Sequence, residues 1–215
     1  MRLRAITPIV VSDDELARRQ ARYDELSPPQ ITIHLDNLST GPDRLESEEQ
    51  IRESERLVYR EVVDTDPRRY DGIFLDCVLD PSLEELQVDC ALPVFGITRL
   101  VSGYLASLGL RMAAVTRNQA IADELTARIA AGGWSDTLDG VMVLYLSLED
   151  IADASRWNEA VAEAVSTGGL CADVVINGCS AVEVRPTGGP PVIDPTALAL
   201  RLIGAGANLF ENGNR

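Results

Sequence analysis

Two cysteines in matching surroundings carry the chain's clearest chemical potential. Cys77 ends the run Asp71-Gly72-Ile73-Phe74-Leu75-Asp76-Cys77, and Cys179 ends Val174-Val175-Ile176-Asn177-Gly178-Cys179. After each comes a short polar stretch and then a Pro-Val strand, Pro93-Val94-Phe95-Gly96-Ile97 in one half and Pro191-Val192-Ile193-Asp194 in the other. A thiol suits acid/base work because its ordinary pKa, about 8.5, lies close to neutrality. A helix N-terminus or a ring of backbone N–H groups lowers it further. One thiolate can remove a proton from a stereocentre while an opposing thiol returns one to the other face. The carbanion between them needs donors at its adjacent carbonyl, which backbone N–H groups and the hydroxyls of Thr116 and Ser180 supply. Gly178 lets the backbone come close to a ligand.

The plainer reading stands beside this one. A single cysteine at a strand end is ordinarily a small buried hydrophobe. Cys90 and Cys171 lack the matched context and are read as structural. His34 is the only histidine and falls within a predicted strand, so a Ser-His-Asp arrangement is excluded except through that residue. No CxxC or HExxH spacing points to a metal, and no GxGxxG or P-loop points to a nucleotide cofactor.

The elements that must position the cysteines follow from the rhythm of the chain. Short apolar runs alternate with longer amphipathic ones, which predicts parallel strands joined by helices. Strands are expected at Leu3–Ile6, Ile31–Leu35, Gly72–Leu75, Pro93–Ile97, Arg111–Val115, Gly140–Leu146, Ala172–Ile176 and Pro191–Ile193. Helices are expected at Asp13–Leu26, Glu46–Val63, Thr98–Leu108, Asn118–Ala131, Glu149–Val165 and Pro195–Ile203, the last opened by proline in its first turn. Asp80-Pro81-Ser82 is a candidate helix start after Cys77. The repeated order predicts two related lobes. Ligands of open parallel sheets sit outside the carboxyl ends of the strands, so facing lobes bring both cysteines to one cleft.

Composition narrows the partners. The formal charge is −15 and every basic residue is arginine. Such a chain is repelled by nucleic acid and by anionic membrane surfaces. No stretch approaches the roughly 20 apolar residues that span a bilayer. The start resembles a signal peptide for only two residues before Pro8 and the acidic Ser12-Asp13-Asp14-Glu15 interrupt it, so a cytoplasmic protein with reduced thiols is expected.

At these residues the chain resembles the aspartate/glutamate racemase superfamily, and within it the hydantoin and allantoin racemase branch. Asp71 to Cys77 with Asp80-Pro81-Ser82-Leu83 is similar to the first cysteine motif, and Val174 to Ser180 to the second. Pro93 to Ile97, Val115-Thr116 and Pro191-Val192-Ile193-Asp194-Pro195 match intervening strand ends and the closing turn. The resemblance implies an α/β fold of two flavodoxin-like lobes with parallel sheets related by a pseudo-twofold axis, the active site between them. Residues 1–98 with 196–215 would form the first lobe and residues 99–195 the second. It implies racemisation or epimerisation without cofactor or metal, a small-molecule substrate and a homo-oligomer. Cys77 and Cys179 carry over as the two bases, and Val78, Thr116, Gly178 and Ser180 as substrate contacts.

The first lobe departs from the pattern. Thr7-Pro8-Ile9-Val10 stands where the family has an amide-rich turn, and Gly41-Pro42-Asp43-Arg44-Leu45-Glu46-Ser47 carries Arg44 in place of a small hydroxyl. With Arg99 near the expected cleft, an apolar entrance of Thr7, Pro8 and Ile9 beside Arg44 points to a differently shaped or more negative substrate than a hydantoin. Two other reactions suit the same fold, maleate-type cis-trans isomerisation and malonate-type decarboxylation. A non-catalytic metabolite-binding protein is the third alternative.

Overall fold

The computed structural model describes residues 1–147, 150, 154–169, 171–186 and 188–209. Its first sheet is built from β1 (Arg2–Ile6), β2 (Thr32–Asp36), β3 (Gly72–Leu75) and β4 (Val94–Phe95), all parallel, in the order β2-β1-β3-β4. The second contains β5 (Met112–Thr116), β6 (Leu138–Val143), β7 (Val174–Asn177) and β8 (Val192–Ile193), again parallel, in the order β6-β5-β7-β8. Counted from its own first strand, each sheet runs second, first, third, fourth. The fold is α/β, two flavodoxin-like lobes, and the repeat read from the two cysteine segments is a repeat of topology.

The central strands are buried on both faces, which explains why β3, β5 and β7 read as unbroken apolar runs. Around the sheets lie α1 (Asp13–Leu26), α2 (Glu48–Val62), α3 (Leu83–Asp89), α4 (Ile97–Ser107), α5 (Gln119–Ala131), α6 (Ala154–Thr167) and α7 (Pro195–Ala205). Their starts are fixed by local chemistry. Ser12, Ser47, Asn118 and Asp194 each accept a backbone N–H of the first turn, and Pro195 occupies the position where a missing N–H costs nothing. The short α3 begins after Asp80-Pro81-Ser82, where the sequence marks a start.

One core runs through both lobes. Phe74, Leu3 and Leu35 of the first sheet and Ala114, Val174 and Ile176 of the second belong to the same buried cluster, joined through Val101 and Leu105 of α4 and Leu200 and Ile203 of α7. The sixth strand starts and ends earlier than Gly140–Leu146, because its register with β5 begins at Met112↔Leu138. The expected start of the following helix, Glu149, lies outside the described residues. So does the end of the tail, 210–215. No helix among the described residues is long and apolar enough to cross a membrane.

Candidate active site

Each cysteine sits two residues beyond the third strand of its sheet: β3 ends at Leu75 and β7 at Asn177. Equivalent placement in two facing lobes brings them to one cavity of about 90 Å3, lined by Cys77, Cys179, Pro8, Ile9, Leu45, Val78, Leu79, Ile121, Gly178, Ser180, Ala181 and two arginines, Arg19 and Arg117.

The turn carrying Cys77 is pinned at several points. Leu79 N–H donates to Cys77 Sγ at 3.4 Å and Thr98 Oγ1 donates to the Val78 carbonyl at 2.5 Å. Asp80, in the left-handed region at φ 46°, turns its carboxylate onto the start of α4, accepting from Thr98 N at 3.1 Å and Arg99 N at 2.7 Å. An aspartate tolerates that backbone better than most residues. Asp76, directly before the cysteine, is buried between Arg19 (Nη1 at 3.1 Å) and the Tyr23 hydroxyl at 2.5 Å.

The turn carrying Cys179 is held from both lobes. Trp157, fully buried, donates its indole N–H to Asn177 Oδ1 at 3.2 Å, and Asn177 Nδ2 donates to the carbonyls of Cys179 (2.8 Å) and Val182 (3.0 Å). From the first lobe, Arg18 donates to the Ala181 carbonyl at 3.0 Å and Arg22 to the Ser180 carbonyl at 3.4 Å. Arg22 also pairs with Asp194 at 2.5 Å. Gly178 is required sterically. A Cβ there would lie 2.3 Å from the Val115 carbonyl oxygen, to which its own N–H donates at 2.7 Å.

Four residues expected at or near the cleft, Thr7, Thr116, Arg44 and Arg99, fall outside the lining. Thr7 is buried, its hydroxyl donating to Asn37 Oδ1 at 3.0 Å and accepting Leu38 N–H at 3.2 Å, so it ties the end of β1 to the loop after β2. Thr116 is buried too, donating to the Asn118 carbonyl at 3.3 Å. Arg44 pairs with its neighbour Asp43 at 3.0 and 3.1 Å. Arg99 pairs with Glu84 and lies over Trp134, 5.9 Å from the ring. Pro8, Ile9, Val78, Gly178 and Ser180 do line the cavity. His34 is exposed beside Asp36, at 3.3 Å.

Sequence reasoning passed over Arg19 and Arg117, and each left a signal. On α1, Leu16, Arg19, Tyr23 and Leu26 follow the three-and-four spacing of a core-facing stripe, so position 19 was bound to point inward. Arg117 is one residue beyond Thr116, at the carboxyl end of β5 where ligands collect. Arg19 is clamped by Glu15 at 2.8 Å as well as by Asp76. Arg117 donates to Glu46 at 3.2 Å and to the Leu45 carbonyl at 3.1 Å.

The electrostatics of the two sulfurs differ. Burial pushes the Cys77 thiol up to about 12, with Asp76 and Asp80 acting in the same direction and the Leu79 N–H and Arg19 opposing. Burial also raises Cys179, but the Ala181 N–H, Arg19 and Arg117 all favour its thiolate, against Asp76. Neither thiol is lowered as expected from helix ends, because desolvation outweighs the favourable contacts. Cys179 is the sulfur favoured by both arginines.

The Asp/Glu/hydantoin racemase family model matches residues 15–203. Among solved structures, the chain is similar to allantoin racemase from Pseudomonas fluorescens (17% identity, TM-score 0.82, covering 97% of this chain and 92% of that one). It is similar to allantoin racemase from Klebsiella pneumoniae (16%, 0.79, 97% and 88%) and, less closely in shape, to the maleate isomerase of Pseudomonas putida S16 (16%, 0.61, 95% and 93%). No curated protein sequence matches. With two parallel lobes meeting at a pair of cysteines and a family match over most of its length, the chain belongs to the Asp/Glu/hydantoin racemase family and is an isomerase.

Proposed function

We propose that this isomerase inverts a carbonyl-acidified stereocentre of a small amino-acid derivative or cyclic ureide by two-base cysteine chemistry. The observation that carries the reading is that Cys77 and Cys179, two residues beyond equivalent strands, line one small cavity. Burial raises both thiols, but Arg19 and Arg117 oppose it at Cys179 while Asp76 and Asp80 add to it at Cys77, so Cys179 is better placed to act as base and Cys77 as acid. Cys179 accepts the α-proton of the enantiomer presented to it, and the electron pair of the broken C–H bond spreads onto the adjacent carbonyl. Cys77 then gives its proton to the opposite face. The enzyme is left with the roles exchanged, and proton transfer through solvent resets it.

Single substitutions Cys77→Ser and Cys179→Ser test this by deuterium uptake and optical rotation together. Each is expected to abolish inversion, while Cys77→Ser retains uptake into one enantiomer through Cys179. Loss of inversion in only one variant would refute the two-base scheme. Carbon dioxide release, or a covalent adduct on Cys77, would point instead to the decarboxylation or cis-trans isomerisation that the same fold accommodates.

A further inference from the structure

The lining of the cavity separates the substrate classes just left open. We infer that the site takes a small carboxylate whose α-carbon bears no ammonium group, an N-acyl amino acid in place of a free amino acid or a neutral ureide, with the carboxylate against Arg19 and Arg117. This rests on the two-cysteine reading above and narrows it.

Among the described residues, four ionisable side chains line the cavity, Arg19, Arg117, Cys77 and Cys179, and no Asp or Glu does. Asp76, the residue before Cys77, is 2% exposed, with one carboxylate oxygen bonded to Arg19 and the other to Tyr23. Glu15 and Glu46 pair with the guanidinium groups from outside the lining. An α-ammonium group placed between the sulfurs would meet two guanidinium donors and no lining carboxylate to accept its N–H groups. A free amino acid is disfavoured on that ground.

The arginines keep donor capacity. Arg19 uses Nε on Glu15 and Nη1 on Asp76, and among the described residues its Nη2 makes no hydrogen bond. Arg117 uses Nη1 and Nη2, and among the described residues its Nε makes none. Glu15, Asp76 and Glu46 offset much of the positive charge, so what remains is directional: N–H groups fixed in place by ion pairs, on a planar group suited to carboxylate. A neutral ureide carbonyl gains less from the same donors. Removing an α-proton from a carboxylate builds further negative charge on its oxygens, where such pre-positioned donors matter most. Pro8, Ile9, Leu45, Val78, Leu79 and Ile121 supply an apolar surface for an acyl group and a short side chain.

Three probes built on one carbon frame test the inference: N-acetylalanine (an anion with uncharged nitrogen), alanine (a zwitterion) and 5-methylhydantoin (neutral). Deuterium uptake at the α-carbon above the enzyme-free rate is measured by NMR, and protection of Cys179 from iodoacetamide by mass spectrometry. N-acetylalanine is expected to exchange and protect, with the other two at least about tenfold weaker in both. Arg117→Met and Arg19→Lys should each weaken protection by N-acetylalanine about tenfold or more while leaving protection by its neutral amide unchanged. If either variant fails to fold by circular dichroism, the ranking of the three probes on the native chain decides. Exchange of alanine or 5-methylhydantoin as fast as N-acetylalanine overturns the inference and leaves the cysteine mechanism standing. Exchange of none, with Cys179 protected by N-acetylalanine alone, supports the carboxylate site and sinks the two-base mechanism. Absence of protection by N-acetylalanine overturns the inference outright.

Discussion

The Ser180 hydroxyl lies 3.5 Å from the Asp76 carbonyl oxygen, joining the residue after one cysteine to the residue before the other. Around that contact, α1 reaches both cysteine turns. Arg19 fixes Asp76 before Cys77, and Arg18 and Arg22 fix the carbonyls that follow Cys179. Side chains of one helix thus hold the turns of both sulfurs.

The asymmetry of the thiols predicts an order of labelling. Iodoacetamide reacts with thiolates, so both rates should rise with pH. A thiol raised to about 12 has little thiolate at neutral pH, so Cys77 should still be gaining reactivity at the alkaline end of the scan, with Cys179 modified first throughout. Arg19→Met should slow the Cys179 reaction. Mass-spectrometric mapping showing Cys77 ahead would contradict the assignment of Cys179 as the supported thiolate.

Arg22 is a positioning residue, bonded to Ser180 and Asp194 but absent from the cavity lining. Arg22→Ala is expected to cost about 1–3 kcal/mol of stability by leaving Asp194 without its cation. Its kcat should fall by about tenfold with KM little changed, because the misplaced group is the sulfur and not a substrate contact. An equal rise in KM would place Arg22 in substrate binding instead.

Gly178→Ala should behave as an overpacked core substitution. The added carbon would lie 2.3 Å from Val115 O and 2.7 Å from Thr116 Cγ2, and the first of these is backbone that cannot rotate away. A loss of about 1–3 kcal/mol or more in urea unfolding is expected, together with loss of activity. Unchanged stability would mean that the β5–β7 approach relaxes freely.

A charge cluster ties the lobes together on another side. Glu124 of α5 is shared by Arg52 of α2, at 3.0 Å, and Arg128, at 2.7 Å, while Arg128 also pairs with Glu55 of α2. Removing Arg128 leaves two mostly buried carboxylates, Glu55 and Glu124, to share Arg52 alone. Arg128→Met is expected to lower stability by about 1–3 kcal/mol, with Glu124→Gln added to it recovering part of that loss in chemical denaturation. No recovery in the double variant would show that the two carboxylates do not interact.

Much of this arrangement was legible in the chain. Two apolar runs closing on cysteine, each followed by a Pro-Val strand, determined the repeated lobes and the equivalence of Cys77 and Cys179, because a strand buried on both faces must be continuously apolar and a parallel sheet places ligands at its carboxyl edge. Which other side chains reach that edge was decided only by tertiary structure. Arg44 and Arg19 look alike in sequence, yet Arg44 pairs with adjacent Asp43 while Arg19 meets Asp76, a partner 57 positions away. Thr116 and Arg117 are neighbours at the end of β5, and only Arg117 lines the cavity. The physical reason is that a strand or helix pattern is local, whereas the partner that holds a charge, and the burial that raises a thiol, are supplied by segments distant along the chain.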